Sequence, residues 1–284
     1  MFELILENAN GDQLSFAQNS PFTISEIQGL NPPDATINLS ELALIDGAKF
    51  NSAKLNLRTI NIAFAIEYEA AKNRIEVYKV LKSKQYVKMH YNGSYRQVYI
   101  EGYIESIGIT YFEMKQIVTC TILCPSPYFK DAQDLIVELS NIVKAFHFPF
   151  ASTADPELVM GYFSNTIGIT IENDGDAECG MIIQMYARNP VSNPKIFDYI
   201  TNDYFGIRYD LQRADLVTID TRKGQKSVTL LRGAAETNLF NYIMQGSTWL
   251  QLPVSGGTYV YEVGSGNTAD LNLTFTHTNL YEGV

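Results

Sequence analysis

The chain has 284 residues, 46% of them hydrophobic and 18% charged, with a formal net charge of −10. This is globular composition, too apolar for a disordered chain. No run approaches the ~18 consecutive apolar residues of a spanning helix, so no membrane insertion is expected, and an acidic chain is poorly suited to gripping phosphate backbones, which are bound through lysine and arginine.

The first residues, "MFELILENANGDQ", carry Glu3 and Glu7 and no basic stretch, so a secretory signal is not expected. Three cysteines do not make a disulfide framework, and synthesis in a reducing cytoplasm is the expectation. Residues 1–131 hold 12 basic and 14 acidic side chains, and residues 132–284 hold 9 and 17, so most of the negative charge lies in the second part. Length suggests about two domains.

In chain order, residues 1–7 alternate as a strand and "NANGD" supplies a turn. Pro32 and Pro33 confine the next segment to an edge or a crossing loop, and Asp46-Gly47 offers another turn. "KLNLRTINIAFAIEYE" alternates throughout, with Ile60, Ile62, Phe64 and Ile66 on one face, and predicts one long half-buried strand. The period then changes. Ala71, Ile75, Tyr78 and Leu81 fall at helical spacing and predict an amphipathic helix with that stripe inward. Residues 72–96 contain seven basic side chains and one acid, Glu76; the choice is a solvated face or a contact surface for an acidic partner.

Strands resume through "YVKMHYN" and "SYRQVYIEGYIESIGITYF" to "QIVTCTILC", where Pro125 and Pro127 end the strand. Residues 134–165 are loosely patterned. "TIGITIENDGDAECGMIIQMYARNP" predicts a hairpin about Asp174-Gly175, and further short strands recur at the spacing of an all-β sandwich.

Candidate chemistry is sparse. Cys120 and Cys124 are four apart on a strand, about 13 Å between Cα atoms, too far for a disulfide and with no second ligand pair of zinc-finger spacing. With Val118 and Ile122 on the same face they read as buried thiols, and Cys179 reads the same way. His90, His147 and His277 fall in no catalytic motif. "NDGD" at 173–176 lacks a closing glutamate at calcium-loop spacing and reads as a turn. Trp249 with Tyr259 and Tyr261 could form a sugar-stacking platform, or could be core aromatics.

The order of the segments is more specific than any one of them. "GLNPPDATIN" precedes "IDGAKF", then the Arg58-bearing "NLRTINIAFAI", the short helix and "TCTILCPSPYF"; the second half carries "ITIENDGDAECGMIIQM", "VTIDTRKGQKSV", "WLQLPVSGGTYVYEV" and the terminal "LYEGV". This succession resembles the distal tail protein family of siphophages of Gram-positive hosts, or of their prophages, over essentially the whole chain.

The resemblance implies a mainly β protein. Residues 1–131 would be a ring-forming β-sandwich or split barrel with one α-helix, and residues 132–284 a galectin-like β-sandwich. It implies a homo-oligomeric ring of six copies at the distal end of the virion tail, made in the host cytoplasm. The ring would join the tail-tube protein to the tail-tip protein, meet the tape-measure protein and anchor receptor-binding proteins, with DNA passing through the bore without specific binding. It implies no enzyme, no cofactor, and no catalytic or metal residues. The alternative is a carbohydrate-binding adhesion module that uses the C-terminal sandwich. The chain has no room for the inserted carbohydrate-binding module of some members, and no sugar-binding residues carry over.

Overall fold

A computed structural model describes residues 3–41, 46–111, 115–139, 142–144, 161–163 and 168–284. The chain forms two compact units, Met1–Ala132 with Leu280–Val284, and Gln133–Asn279. It is mainly β; among the described residues there is one α-helix and the sheets are not closed.

The first unit is built on an antiparallel sheet ordered Gln13–Ser15, Glu3–Asn8, Tyr86–Asn92, Gln97–Ile109, Gln116–Cys124, Arg58–Ile66 and Phe22–Gln28. The last of these is an edge strand, as its flanking prolines require. Alternation buries one side of each central strand: Leu4 and Leu6, Ile60, Ile62 and Phe64, Val87 and Met89, and Val118, Cys120, Ile122 and Cys124 form one core. Phe16 and Phe22 meet Phe64 edge-on at 4.9 and 5.8 Å between ring centroids.

The helix Ala70–Val80 forms where the period changes, but it turns a different face inward. Asn73, Val77 and Val80 are buried, whereas Ile75 is 57% and Tyr78 38% exposed. The buried asparagine is satisfied by donating to the Tyr68 carbonyl at 2.6 Å, and Val77, Val80 and the following Leu81 join the core.

The long strand expected over residues 54–69 is two strands, Ala48–Leu55 and Arg58–Ile66, separated at Asn56-Leu57. The first leaves the main sheet and pairs only with Ala35–Glu41.

The first unit is closed by the end of the chain. Phe129–Asp131 pairs with Gln97–Ile109 on one side and with Leu280–Tyr281 on the other. The sequence reading assigned residues 280–284 to the second domain; the structure places them in the first unit.

Within Gln133–Asn279 two sheets face each other. One is ordered Leu135–Leu139, Leu271–His277, Cys179–Ala187, Leu216–Asp220, Ser227–Arg232 and Ala235–Asn238; the other Gly168–Ile171, Gly257–Glu262, Lys195–Asp198 and Tyr204–Gly206. Tyr259 of the second sheet stacks on Phe275 of the first at 5.6 Å, so their inner faces meet as a β-sandwich. The hairpin expected about Asp174-Gly175 is not one: Gly168–Ile171 and Cys179–Ala187 belong to different sheets. Asn173 makes the crossing possible. Its amide donates to the Ala177, Leu252 and Pro253 carbonyls, and its side-chain oxygen accepts the Gly175 N–H.

Candidate assembly surfaces

The thiols are inert. Cys120, Cys124 and Cys179 are free and buried. Burial pushes the first two up to about 12 and Cys179 to about 11, so none offers a thiolate near neutrality.

His90 pairs with Glu7 at 3.1 Å in the first unit, and His277 is buried in the second; His147 lies outside the described residues. Among the described residues no side chain accepts or donates at either His277 ring nitrogen, and the Glu172 backbone and the nearby Asp134 and Asp174 favour its charged form. Burial wins, and its pKa lies below the ordinary histidine value.

The sugar-stacking platform does not form. Tyr259 and Tyr261 point into the sandwich and donate to the Gln251 and Thr268 carbonyls. Trp249 instead packs with Phe205 and Phe240, at 5.0 and 5.9 Å, with the Lys226 ammonium 5.4 Å from its ring. The residue spacing on Gly257–Glu262 put both tyrosines on one face, but only the fold shows which face is inside.

The basic stretch 72–96 is largely partnered within the chain. Lys72 and Lys79 pair with Glu69 and Glu76 one helical turn away. Arg74 lies over Tyr111 and Lys88 over Tyr99. Arg96 lies over Tyr281 and donates to the Gly283 carbonyl at 2.6 Å. These contacts fit a solvated face better than a cationic docking surface.

Two features of the first unit stand out instead. One is Arg58, 3% exposed at the start of its strand. It donates to four backbone carbonyls: Pro127 at 2.7 Å, Gly29 at 2.5 Å, Asn31 at 2.7 Å and Glu282 at 2.6 Å. Its guanidinium lies 4.5 Å from the centroid of the Phe129 ring. Burial lowers its pKa from the ordinary arginine value, opposed by Cys124 and Glu282. One side chain thus ties the proline loop, the exit of the central strand and the chain's last residues together. The planar, multi-donor guanidinium suits this task; lysine lacks the fork.

The other is the ribbon Ala35–Glu41/Ala48–Leu55. Thr36 bonds Asn56, Asn38 bonds Ser52, and Asn51 bonds Ser40, which stitches one face. The register puts Ala35 opposite Leu55, Ile37 opposite Ala53 and, past a bulge, Leu39 opposite Phe50 on the other face. Ile37, Leu39 and Phe50 are 58, 57 and 60% exposed. An isolated two-stranded ribbon is marginal in water, and this one turns an apolar face to solvent.

Residues 174–279 match the family model described as the siphovirus-type tail component, C-terminal domain. This stretch of the C-terminal unit is similar to a siphovirus-type tail component. The whole chain also shares its fold with solved phage tail structures. SPP1 Dit, titled a paradigm of the hub adsorption apparatus in phages infecting Gram-positive bacteria, aligns at TM-score 0.68 and 14% identity, over 98% of both chains. A chain of the phage P2 baseplate in its activated conformation with Ca aligns at TM-score 0.52 and 13% identity, over 97% of this chain and 98% of that one. No curated protein matches. The resemblance to distal tail proteins drawn from the ordered motifs therefore holds, in fold along the whole chain and in domain family for its C-terminal part. No short motif signals the Arg58 cage: a lone arginine in an alternating strand looks like a surface residue until the carbonyls around it are seen.

Proposed function

We propose that the protein is a non-enzymatic structural component of a phage tail tip, and that copies of it close into a ring, six in number, through the first unit. The ring would join the tail tube to the tail-tip protein and carry host-adsorption proteins. The fold shared with SPP1 Dit and the tail-component domain support the tail role. The observation that carries self-assembly is the Ala35–Glu41/Ala48–Leu55 ribbon. Its polar face is satisfied and, among the described residues, its apolar face is not; we assign the cover for Ile37, Leu39 and Phe50 to another copy. Covering one such side chain is worth about 1.5–3 kcal/mol, and head-to-tail contacts of this kind close into rings when the rotation permits.

The solvent face of Phe22–Gln28, Arg58–Ile66 and Gln116–Cys124 presents Glu26, Gln28, Asn61, Thr119 and Thr121 around a shallow concavity. Neutral and acidic groups here would let DNA pass without binding, and we assign this face to the bore. The test is particle mass of the purified chain across concentration, with and without its tail-tube neighbour, followed by imaging of any ring. Six-copy particles that Leu39→Asp and Phe50→Asp keep as single chains support the proposal. A wild-type chain that remains single with its neighbour present, or a bore lined with lysine and arginine, refutes it.

A further inference from the structure

The Gln133–Asn279 unit contains a polar concavity. It is an open depression of about 470 Å³, lined by Asn193, Arg208, Tyr209, Asp210 and Tyr242. Its walls are fixed from behind. The Asn193 N–H donates to the Tyr209 carbonyl at 2.9 Å and the Arg208 N–H to the Tyr242 carbonyl at 2.8 Å. Arg232, held at 2.8 and 2.6 Å by both oxygens of the buried Asp215 carboxylate, lies over the Tyr209 ring and donates to the Asp210 carbonyl. Tyr209 and Tyr242 meet edge to face at 5.1 Å, and Tyr242 is 46% exposed.

Among the described residues neither the Arg208 guanidinium nor the Asp210 carboxylate has an ion-pair partner. The wall therefore offers a donor fork, an acidic acceptor, an amide that does both, and two aromatic surfaces. One arginine and one aspartate cancel, which disfavours an anion and a cation alike. An apolar ligand would desolvate both charges without repaying them. A polyhydroxyl ring suits all of it: its hydroxyls accept from Arg208 and donate to Asp210, and its C–H face rests on a tyrosine. The volume lies in the range of small-ligand sites.

We infer that Asn193, Arg208, Tyr209, Asp210 and Tyr242 form a binding site for a neutral saccharide unit, placed on a unit whose frame is rigid. The site does not depend on the ring, and it replaces Trp249, which lies outside it.

The test is saturation-transfer NMR on the intact chain with glucose, galactose and N-acetylglucosamine, and with tetrasaccharides of each, at millimolar concentration. Glucose 6-phosphate is the charged comparison. Expected are transfer to at least one neutral sugar, and a loss of about tenfold or more in affinity in Tyr242→Ala and in Arg208→Ala. Both side chains are exposed, so an unchanged thermal midpoint certifies the fold. Trp249→Phe should bind as the parent does. Absence of transfer to every neutral sugar overturns the inference, as does parental binding in both pocket variants or tighter binding of glucose 6-phosphate. Particle mass, measured separately, decides the tail reading and is untouched by any of these results.

Discussion

Residues 48–55 and 58–66 are neighbours in sequence, both alternate polar with apolar side chains, and both are antiparallel strands. Yet the first is exposed along nearly its whole length, and the second is buried at Arg58, Ile60, Ile62 and Phe64. The change comes within the two residues Asn56-Leu57. Alternation reports the pleat of a strand; it does not report what covers the apolar side. For 58–66 the cover is the core of the same chain. For 48–55 no described residue of the chain supplies it, which is why the ribbon is the feature that argues for assembly.

The contrast is broken most severely at Arg58, the point where the chain enters the core. Arg58→Ala leaves four backbone carbonyls without their donor and a gap beside Phe129. We expect a loss of about 3 kcal/mol or more, read as a lower urea midpoint for the first unit. Arg58→Lys should recover only part of it, since an ammonium cannot span the four acceptors.

Gly29→Ala attacks the same cage from the loop. Gly29 has φ +90°, and a Cβ there would lie 2.2 Å from the Thr59 carbonyl oxygen. A cost of about 1–3 kcal/mol is expected from the backbone strain alone, and a midpoint equal to the parent's would show that the loop can move aside.

Acid provides a milder probe directed at the other unit. His277 is buried with its pKa below the ordinary histidine value. The unfolded chain therefore binds a proton first as pH falls, and the stability that neutral His277 supports is present above about pH 6.5 and lost as pH falls through the lower folded value. The thermal midpoint of the Gln133–Asn279 unit should drop over that window, and His277→Phe should flatten the slope. An identical slope in the variant would assign the acid sensitivity elsewhere.

Smallest of all, on the single chain, is the ribbon. Leu39→Asp or Phe50→Asp should change the folding free energy by no more than about 0.5 kcal/mol while abolishing assembly. A large loss of single-chain stability would mean that the ribbon packs on its own chain in solution, and the comparison above would fail.

Much of this fold was legible. The alternating strands, the helix and the inert thiols follow from periodicity and burial. What escaped was decided by contacts between distant segments. Two stripes compete on the helix. Ala71, Ile75 and Tyr78 look the better core face, and Asn73, Val77 and Val80 win because the asparagine finds a carbonyl and the valines find the sheet. Asn173 reads as a hairpin turn, but its amide reaches across to Leu252 and Pro253 and sends the chain to another sheet. The walls of the concavity come from the segments around 193, 208–210 and 242, none of which carries a motif. Exposed Arg, Tyr and Asp are ordinary surface residues until the backbone brings them together.

The closing strand Leu280–Tyr281 sets an order of events. Residues 280–284 complete the first unit, through Glu282 to Arg58, Gly283 to Arg96 and the Val284 N–H to Leu30. They leave the ribosome only after all of the Gln133–Asn279 unit. A nascent chain, or one broken off anywhere in that unit, therefore displays the ribbon while the Arg58 cage still lacks a wall. Completion of the first unit is in this sense a receipt for translation of the second.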